Sequence, residues 1–495
     1  YDSLAGGCIW DWVDQAVWKY TDKIDPNTGK RERYLAYGGD FDNAPNDGPF
    51  NCNGIITAER KETSKLIEAK HVQRYLVVRE LDDGSFELEN RYGFTCAEEF
   101  DGNWEIVEDG VVVKRGEFKT PAIAPLWRGR LPFSRKDFTS QSAKERFLNV
   151  TFTLKNNALW AKKGHVVSRN QLLINKGQKK VKKSKPQGMQ IATLRDGAIS
   201  VGRGLTRAVF DPKSGTLREL VLNGTAILRD PANGITTGPR ATCMRALVDN
   251  DVWLRGDQYG ESPFYGQLFA SGLTQLRYHA RPIVANGNTV KITTLITGNK
   301  SAGFTHETKW TFMEDGSIEM NNRLIPHGTM PQALPRIGLS MMLNGELENM
   351  RWYGRGPHEN YIDRATSGFL GVYDSTVTKQ FVDYVRPQDN GYKTDVRWVT
   401  FTDRYGRGVC FTASEPMFMQ ALHYDWEDLY FARHQNGQTR WRTPLKPRRE
   451  IMLNLDVRQT GLGGASCGPG AMEKYRFDPN APLKWSIRIE PVRKS

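Results

Sequence analysis

Trp10, Asp11, Trp12 and Asp14 put two indoles and two carboxylates at the end of a short apolar run, AGGCIWDWVDQ. Barrels build their active sites where strands end and loops begin. An indole there can stack on the apolar C–H face of a pyranose while polar neighbours bind its hydroxyls, or it can simply pack as a strand aromatic. Asp11 and Asp14 stand three positions apart on an extended segment, so they face opposite sides and do not form a catalytic pair. Glycoside hydrolysis needs two carboxyl groups about 5 Å apart for retention, or about 6.5 to 9.5 Å apart for inversion. No local pair here is nominated for that work.

The loop YGGDFDNAPNDGPFNCNG, Tyr37 to Gly54, is rich in Asn, Asp, Gly and carbonyls, the hard oxygen donors that suit Na⁺, Mg²⁺ or Ca²⁺. It lacks the EF-hand spacing, and such loops also occur as plain turns. Two later segments are similarly polar: Asp249-Asn250-Asp251, and Gly356 to Arg364, where Glu359, Asp363 and Arg364 can ion-pair within the fold. His358 reads as a structural histidine, because no Ser or Cys nucleophile motif accompanies it.

These residues need a scaffold, and at 495 residues the chain is too long for one core. Two to four domains are expected. No apolar run approaches the roughly 20 residues of a membrane span. The net charge of +13 could attract nucleic acid, but no recognition helix, zinc finger or RNA-binding aromatic strand accompanies it. The densest basic block, Lys176 to Lys185 just before Pro186, reads as a solvated linker. The six cysteines (Cys8, Cys52, Cys96, Cys243, Cys410, Cys467) show no metal-ligand spacing and read as buried free thiols. The opening at Tyr1 reads as the middle of a fold, so any export signal is expected before it and no compartment is assigned.

Period-two alternation with frequent turns runs through SFELENRYG, WEIVEDGVVVKRGEF and RFLNVTFTLKN, which predicts an antiparallel sandwich. Glu108-Asp109-Gly110 is predicted to turn a hairpin. From Met189 onward come further strands, among them AISVGRG, TVKITTLITG, SIEMNNRLI and KWSIRIEPV, enough for large packed sheets. Before the sandwich, a buried strand ending in WDWVD, a loop from Asp25 to Gly54 and a helix within KETSKLIEAKHVQRYL suit the last βα unit of a barrel.

GGCIWDWVDQ, YGGDF, PFNCNG and EAKH resemble the end of the catalytic barrel in the long, five-domain bacterial β-galactosidases of glycoside hydrolase family 2. ENRYGF and WEIVEDG resemble that family's second immunoglobulin-like domain. MRALVDND, LPRIGLSMML, WYGRGPHENYIDR, YVRPQDNG and TGLGGASCGP resemble its terminal β-supersandwich. The matches cover essentially the whole chain in order. The resemblance implies a mainly β chain: the C-terminal part of a (β/α)8 barrel at 1–72, an immunoglobulin-like β-sandwich at 73–175, a Lys-rich linker at 176–188, and a galactose-mutarotase-like β-supersandwich at 189–495.

It also implies a retaining mechanism with one Glu as acid/base and another as nucleophile, both before Tyr1, so this chain is expected to hold no catalytic residue and to be inactive alone. Trp10 matches the tryptophan that packs against galactose. Phe50, through its carbonyl, and Asn53, through its side-chain amide, match ligands of a Na⁺ that touches the galactose 6-hydroxyl. Asn46 lies where the family places a residue beside a second site associated with Mg²⁺, whose main ligands come from upstream. Cys467 departs from the pattern: well-known members carry a Trp there that reaches the acceptor side of the site, so an altered acceptor preference is expected. The implied partners are a β-galactoside and either further copies of the chain in a homo-oligomer or an N-terminal half, with no nucleic acid and no membrane. Two other readings compete: a noncatalytic carbohydrate-binding β-sandwich protein, and a basic polysaccharide-binding fragment using the Lys176 to Lys185 block.

Overall fold

A computed structural model describes residues 6–26, 28–38, 40–41, 45–46, 48–177, 184–228, 237–253, 263–298, 301–432, 445–463 and 471–492. The chain is mainly β. The first part holds β1 (Val17–Ile24), β2 (Arg31–Ala36) and helix α1 (Ser64–Val72). Thr63 caps α1 by accepting from Lys65 N, which satisfies one of the first-turn donors that a helix leaves open.

The sequence reading needs two corrections here. The span from Asp25 to Gly54, expected as loop, contains β2, which pairs antiparallel with β1; the alternation in RERYLA, with Tyr34 and Ala36 turned inward, is the signal that was passed over. The expected buried strand at AGGCIWDWVDQ is shorter and more open. Asp11–Asp14 run parallel to residues 53–56 through Ile55 N to Asp11 O, Ile56 N to Trp12 O and Asp14 N to Ile56 O, each at 3.1 Å. Ile9, Trp10 and Trp12 stay exposed.

The second part is a sandwich of β3 (Leu76–Glu80), β4 (Ser85–Asn90), β5 (Phe100–Glu108), β6 (Val111–Lys119), β7 (Arg128–Ser134), β8 (Glu145–Leu154) and β9 (Val166–Lys176). One sheet has the order β3-β4-β7 and the other β6-β5-β8-β9, all antiparallel. The alternation places Phe86 and Leu88 from one sheet against Ile106, Leu148, Val150 and Phe152 from the other. The predicted hairpin joins β5 to β6: Asp109 (φ 45°) and Gly110 (φ 83°) supply the two positive φ angles of a type I′ turn.

Beyond it, residues 190–228 form a five-stranded sheet, and among the described residues thirteen strands between Arg240 and Val492 form a second, larger one. The two share a core that includes Phe210, Leu217, Trp310, Leu339, Trp352 and Leu453. Within it Arg336 holds Asp456 at 3.0 Å, and Tyr392 donates to the same carboxylate, so the buried charge is paired and hydrogen-bonded. Lys179, Lys180, Lys182 and Lys183 of the basic block lie outside the described residues. On its far side Pro186 bridges to Met313 and Gln187 N donates to Phe312 O at 2.8 Å, which ties residues 186–187 to the larger sheet. Of the described cysteines Cys243 is buried, whereas Cys8, expected inside, is exposed. Its segment has no covering layer among the described residues. No helix among them is long and apolar enough to cross a membrane.

The parts are docked by specific contacts. Gly110 O, at the tip of the β5–β6 hairpin, accepts from Val372 N at 2.9 Å. Arg397 pairs with Glu145 at 2.7 Å, and Val107, Phe147 and Leu370 form a small apolar cluster between sandwich and supersandwich. Helix α1 is clamped from the other side. Its Ser64 donates to Glu359 at 2.9 Å, and its Glu68 accepts from the backbone and hydroxyls of Thr366 and Ser367.

Candidate functional site

That clamp sets the barrel end against the supersandwich and leaves between them a cavity of about 590 Å³. Trp10, Phe50 and Asn53 line it from the barrel end, Lys65 from α1, and Asp249, Asn250, Arg386, Gln388, Asp389 and Gly463 from the far part of the chain. Trp10 is 77% exposed and offers an open indole face. It is positioned by the parallel pairing of the residues that follow it.

Gly54 makes that pairing close. A Cβ there would lie 2.0 Å from Asp14 N, and the Gly54 amide donates to the buried Asp14 carboxylate at 2.7 Å. Burial raises the Asp14 pKa, opposed by Lys65. Asp11 instead takes Trp12 N and the Gln15 amide. The two carboxylates have separate partners, in keeping with their opposite facing.

Phe50 sits in the 3₁₀ turn Gly48–Asn51, which brings it beside Asn53. Asn53 lines the cavity, and its side-chain amide makes no hydrogen bond among the described residues. A hard cation accepts such a donor. Asn46 is exposed in the preceding turn, accepts from Gly48 N at 3.0 Å, and is not part of the cavity wall. Cys467 lies outside the described residues. Among them no three His, Cys, Asp or Glu side chains are grouped to hold a metal.

The opposite wall is a polar network. Arg386 pairs with Asp249, whose second oxygen takes Gln388 Nε2 at 3.3 Å. Asn250 donates to Leu462 O at 3.1 Å, and Asp363 accepts from Gly463 N at 3.1 Å. Beneath them Asp251 is held by Arg245 at 2.6 Å. Asp389 takes Tyr361 OH at 3.1 Å and Gln420 Nε2 at 2.9 Å; burial, opposed by Arg245, pushes its carboxyl up to about 7. Glu359 is the hub behind the wall. Burial would raise it, but Arg364, Tyr384 and Gly391 N hold it below the ordinary carboxylate range. His358 bonds Ser367 Oγ at 2.9 Å, and burial pushes it down to about 4, which leaves a neutral structural imidazole.

The sequence reading thus has Trp10, Phe50 and Asn53 in one place. It named Asp249-Asn250-Asp251 only as polar and did not nominate Lys65, Arg386, Gln388 or Asp389 for the site. Lys65 carries no local signature, and Arg386, Gln388 and Asp389 lie within YVRPQDNG, a segment that resembles the family's but was given no site role.

A family model described as "Beta galactosidase small chain" matches residues 202–489, more than half of the chain. "Beta-galactosidase, domain 4" matches 86–175, and "Glycosyl hydrolases family 2, TIM barrel domain" matches 1–78. The barrel end, the sandwich and the large sheets are therefore those of a glycosyl hydrolase of family 2. Within it the chain belongs to the β-galactosidases. It is 28% identical over 471 residues to a β-galactosidase of Priestia megaterium, covering 94% of this chain and 42% of that protein. With that of Pseudoalteromonas haloplanktis it shares 27% over 498 residues (97% and 45%), and with that of Streptococcus thermophilus 28% over 499 (99% and 45%). The chain spans less than half the length of each. A solved galactose 1-epimerase from Lactobacillus acidophilus, at a TM-score of 0.31 and 10% identity over 62% of this chain and 99% of its own, is too remote to bear on the site.

Proposed function

We propose that the chain is part of a retaining β-galactosidase that releases terminal non-reducing β-D-galactose, and that the cavity beside Trp10 is part of its galactose subsite. The observation that carries this is the meeting of Trp10, Phe50 and Asn53 with the polar wall around Asp249 in one 590 Å³ cavity. An indole face and a ring of hydroxyl-binding groups are the two things that a pyranose needs. The Phe50 carbonyl and the Asn53 amide would hold a Na⁺, which when bound polarises a sugar hydroxyl. Asn46 would stand near a Mg²⁺ whose main ligands lie elsewhere in the complete enzyme. The acid/base and nucleophile Glu belong, on this reading, to polypeptide outside this chain. Cys467 offers far less stacking surface than an indole at the acceptor side, which alters acceptor preference. The complete enzyme acts as a homo-oligomer or by association with its N-terminal half.

The test is hydrolysis of a chromogenic β-galactoside by the purified chain, alone and together with the preceding part of the barrel. No turnover alone, and turnover on addition that falls in a Trp10→Ala chain, is the expected result. Turnover by the chain alone, with contaminating enzyme excluded, would place a catalytic pair within these residues and overturn the division of labour. Galactose binding without turnover in the combined protein would instead favour a noncatalytic carbohydrate-binding role.

A further inference from the structure

Helix α1 brings one more group to the cavity beside Trp10. Lys65 stands just inside the N-terminus of α1, where its amide donates to Thr63 Oγ1 at 3.2 Å, and its side chain lines the cavity. Among the described residues three cations line that space: Lys65, Arg364 and Arg386. Arg364 is paired with Glu359 at 2.9 Å, and Arg386 with Asp249. The Lys65 ammonium has no hydrogen bond and no ion pair among the described residues. Its Nζ sits 5.4 Å from the centroid of the Tyr384 ring, whose hydroxyl is given to Glu359.

Burial lowers the Lys65 pKa; Asp14, Glu359 and Asp249 oppose that from beyond ion-pair distance, and Arg364 adds to it. A lysine taken out of water is ordinarily paired, because an ammonium carries a full charge and three N–H donors. Here the charge is balanced from a distance and the donors are unspent.

The carboxylates decide what those donors can take. Lys65, Arg364 and Arg386 share the cavity with Asp249, Asp363 and Asp389, and Asp14 and Glu359 act on Lys65 as well. Such surroundings have no surplus of positive charge to draw in an anion. A hydroxyl oxygen accepts from an ammonium without bringing a charge of its own, and a hydrogen bond to a charged donor is stronger than one between neutral groups.

We propose that Lys65 is a specificity residue of the galactose subsite, its ammonium donating to one of the hydroxyls at C2, C3, C4 or C6 of the sugar. The inference rests on the galactose reading of the cavity and adds to it a group that α1 supplies. Ser64 and Glu68 hold α1 to the supersandwich, so the ammonium keeps its place relative to the wall around Asp249.

The experiment is titration calorimetry of the chain together with the preceding part of the barrel. The probes are D-galactose and its 2-, 3-, 4- and 6-deoxy forms, on the parent and on Lys65→Met, with circular dichroism as the check of folding. Lys65→Gln takes its place if the Met variant does not fold. Galactose is expected to bind at least tenfold more weakly to the variant. One deoxy sugar is expected to bind parent and variant alike, because the oxygen that Lys65 serves is already missing from it, and that sugar identifies the hydroxyl. A loss of the same size for galactose and all four deoxy sugars would make Lys65 a structural charge opposite Asp14 and overturn the proposal. Unchanged galactose affinity in the variant would overturn it too. Either result, with galactose bound by the parent and weakened by Trp10→Ala, leaves the subsite reading standing. No galactose binding by the parent refutes that reading and the inference with it.

Discussion

Glu68→Ala is the perturbation that tests most sharply how the barrel end is held to the supersandwich. The Glu68 carboxylate accepts from Thr366 N at 3.1 Å, Ser367 N at 2.9 Å, Ser367 Oγ at 2.6 Å and Thr366 Oγ1. Hydrogen bonds to a charged group are each worth roughly 1.5 to 3 kcal/mol when buried. Thr366 is exposed and Ser367 only partly buried, so water replaces much of what is lost. A net cost of about 2 kcal/mol follows.

If α1 opens locally, that cost makes its amides exchange roughly 30-fold faster, since about 1.4 kcal/mol is a factor of ten. Hydrogen exchange with mass spectrometry on the peptide covering α1 reads this directly. Burial would raise the Glu68 pKa, but the hydrogen bonds outweigh it and hold it below its ordinary 4.5. The contribution is therefore fully present above pH 4.5 and is lost as pH falls through the lower folded value. The ratio of exchange rates between Glu68→Ala and the parent should be largest at neutral pH and shrink toward one in acid. An equal rate at pH 7, or a ratio that does not change with pH, would refute the clamp.

Three further outcomes follow from the same contacts. Trp10→Ala should leave stability within about 0.5 kcal/mol, because the side chain is 77% exposed, while weakening galactose binding at least tenfold; a large fall in melting temperature with unchanged binding would make Trp10 a packing residue. Asp389 has a folded value of about 7 against 3.8 ordinarily, so the folded chain holds a proton there that the unfolded chain releases; its contribution falls as pH rises from about 4 to 7. The melting temperature of the parent relative to Asp389→Asn should therefore drop between pH 5 and pH 8, and a constant difference would contradict the assignment. Gly110→Ala forces a side chain to φ 83° and sets its Cβ 2.7 Å from a Val372 methyl and 2.8 Å from Val372 N. A cost of about 2 to 4 kcal/mol at the hairpin contact is expected; scanning calorimetry should show the sandwich melting apart from the supersandwich, and an unchanged profile would count against that docking.

What the sequence made legible follows from how local each signal is. The sandwich strands announced themselves because one face of each is buried, as in β4 with its strict in-out pattern, and because Asp109-Gly110 can take the two positive φ angles of a tight hairpin. β2 sits in a Gly- and Asn-rich stretch from Asp25 to Gly54, where the short alternation of RERYLA, with Tyr34 and Ala36 facing inward, is outweighed by the turn residues around it. At the candidate site, Trp10, Phe50 and Asn53 fall within 44 residues and were carried by the family resemblance of their own motifs. Lys65 stands outside the quoted motifs, and although Arg386, Gln388 and Asp389 lie within YVRPQDNG, nothing in that segment itself says that they face Trp10. Their place depends on the Glu68 and Glu359 clamps, which join α1 to the connection between the strands Asn349–Gly356 and Phe369–Thr376, almost 300 residues away.

The central claim, that the cavity beside Trp10 is a galactose subsite, is met most directly by a crystal structure of the chain soaked with D-galactose and Na⁺. The account predicts a pyranose with its C–H face on the Trp10 indole, and a Na⁺ touching the Phe50 carbonyl, the Asn53 amide oxygen and a sugar hydroxyl. Galactose ordered elsewhere on the chain, or an empty cavity at saturating sugar, would contradict it.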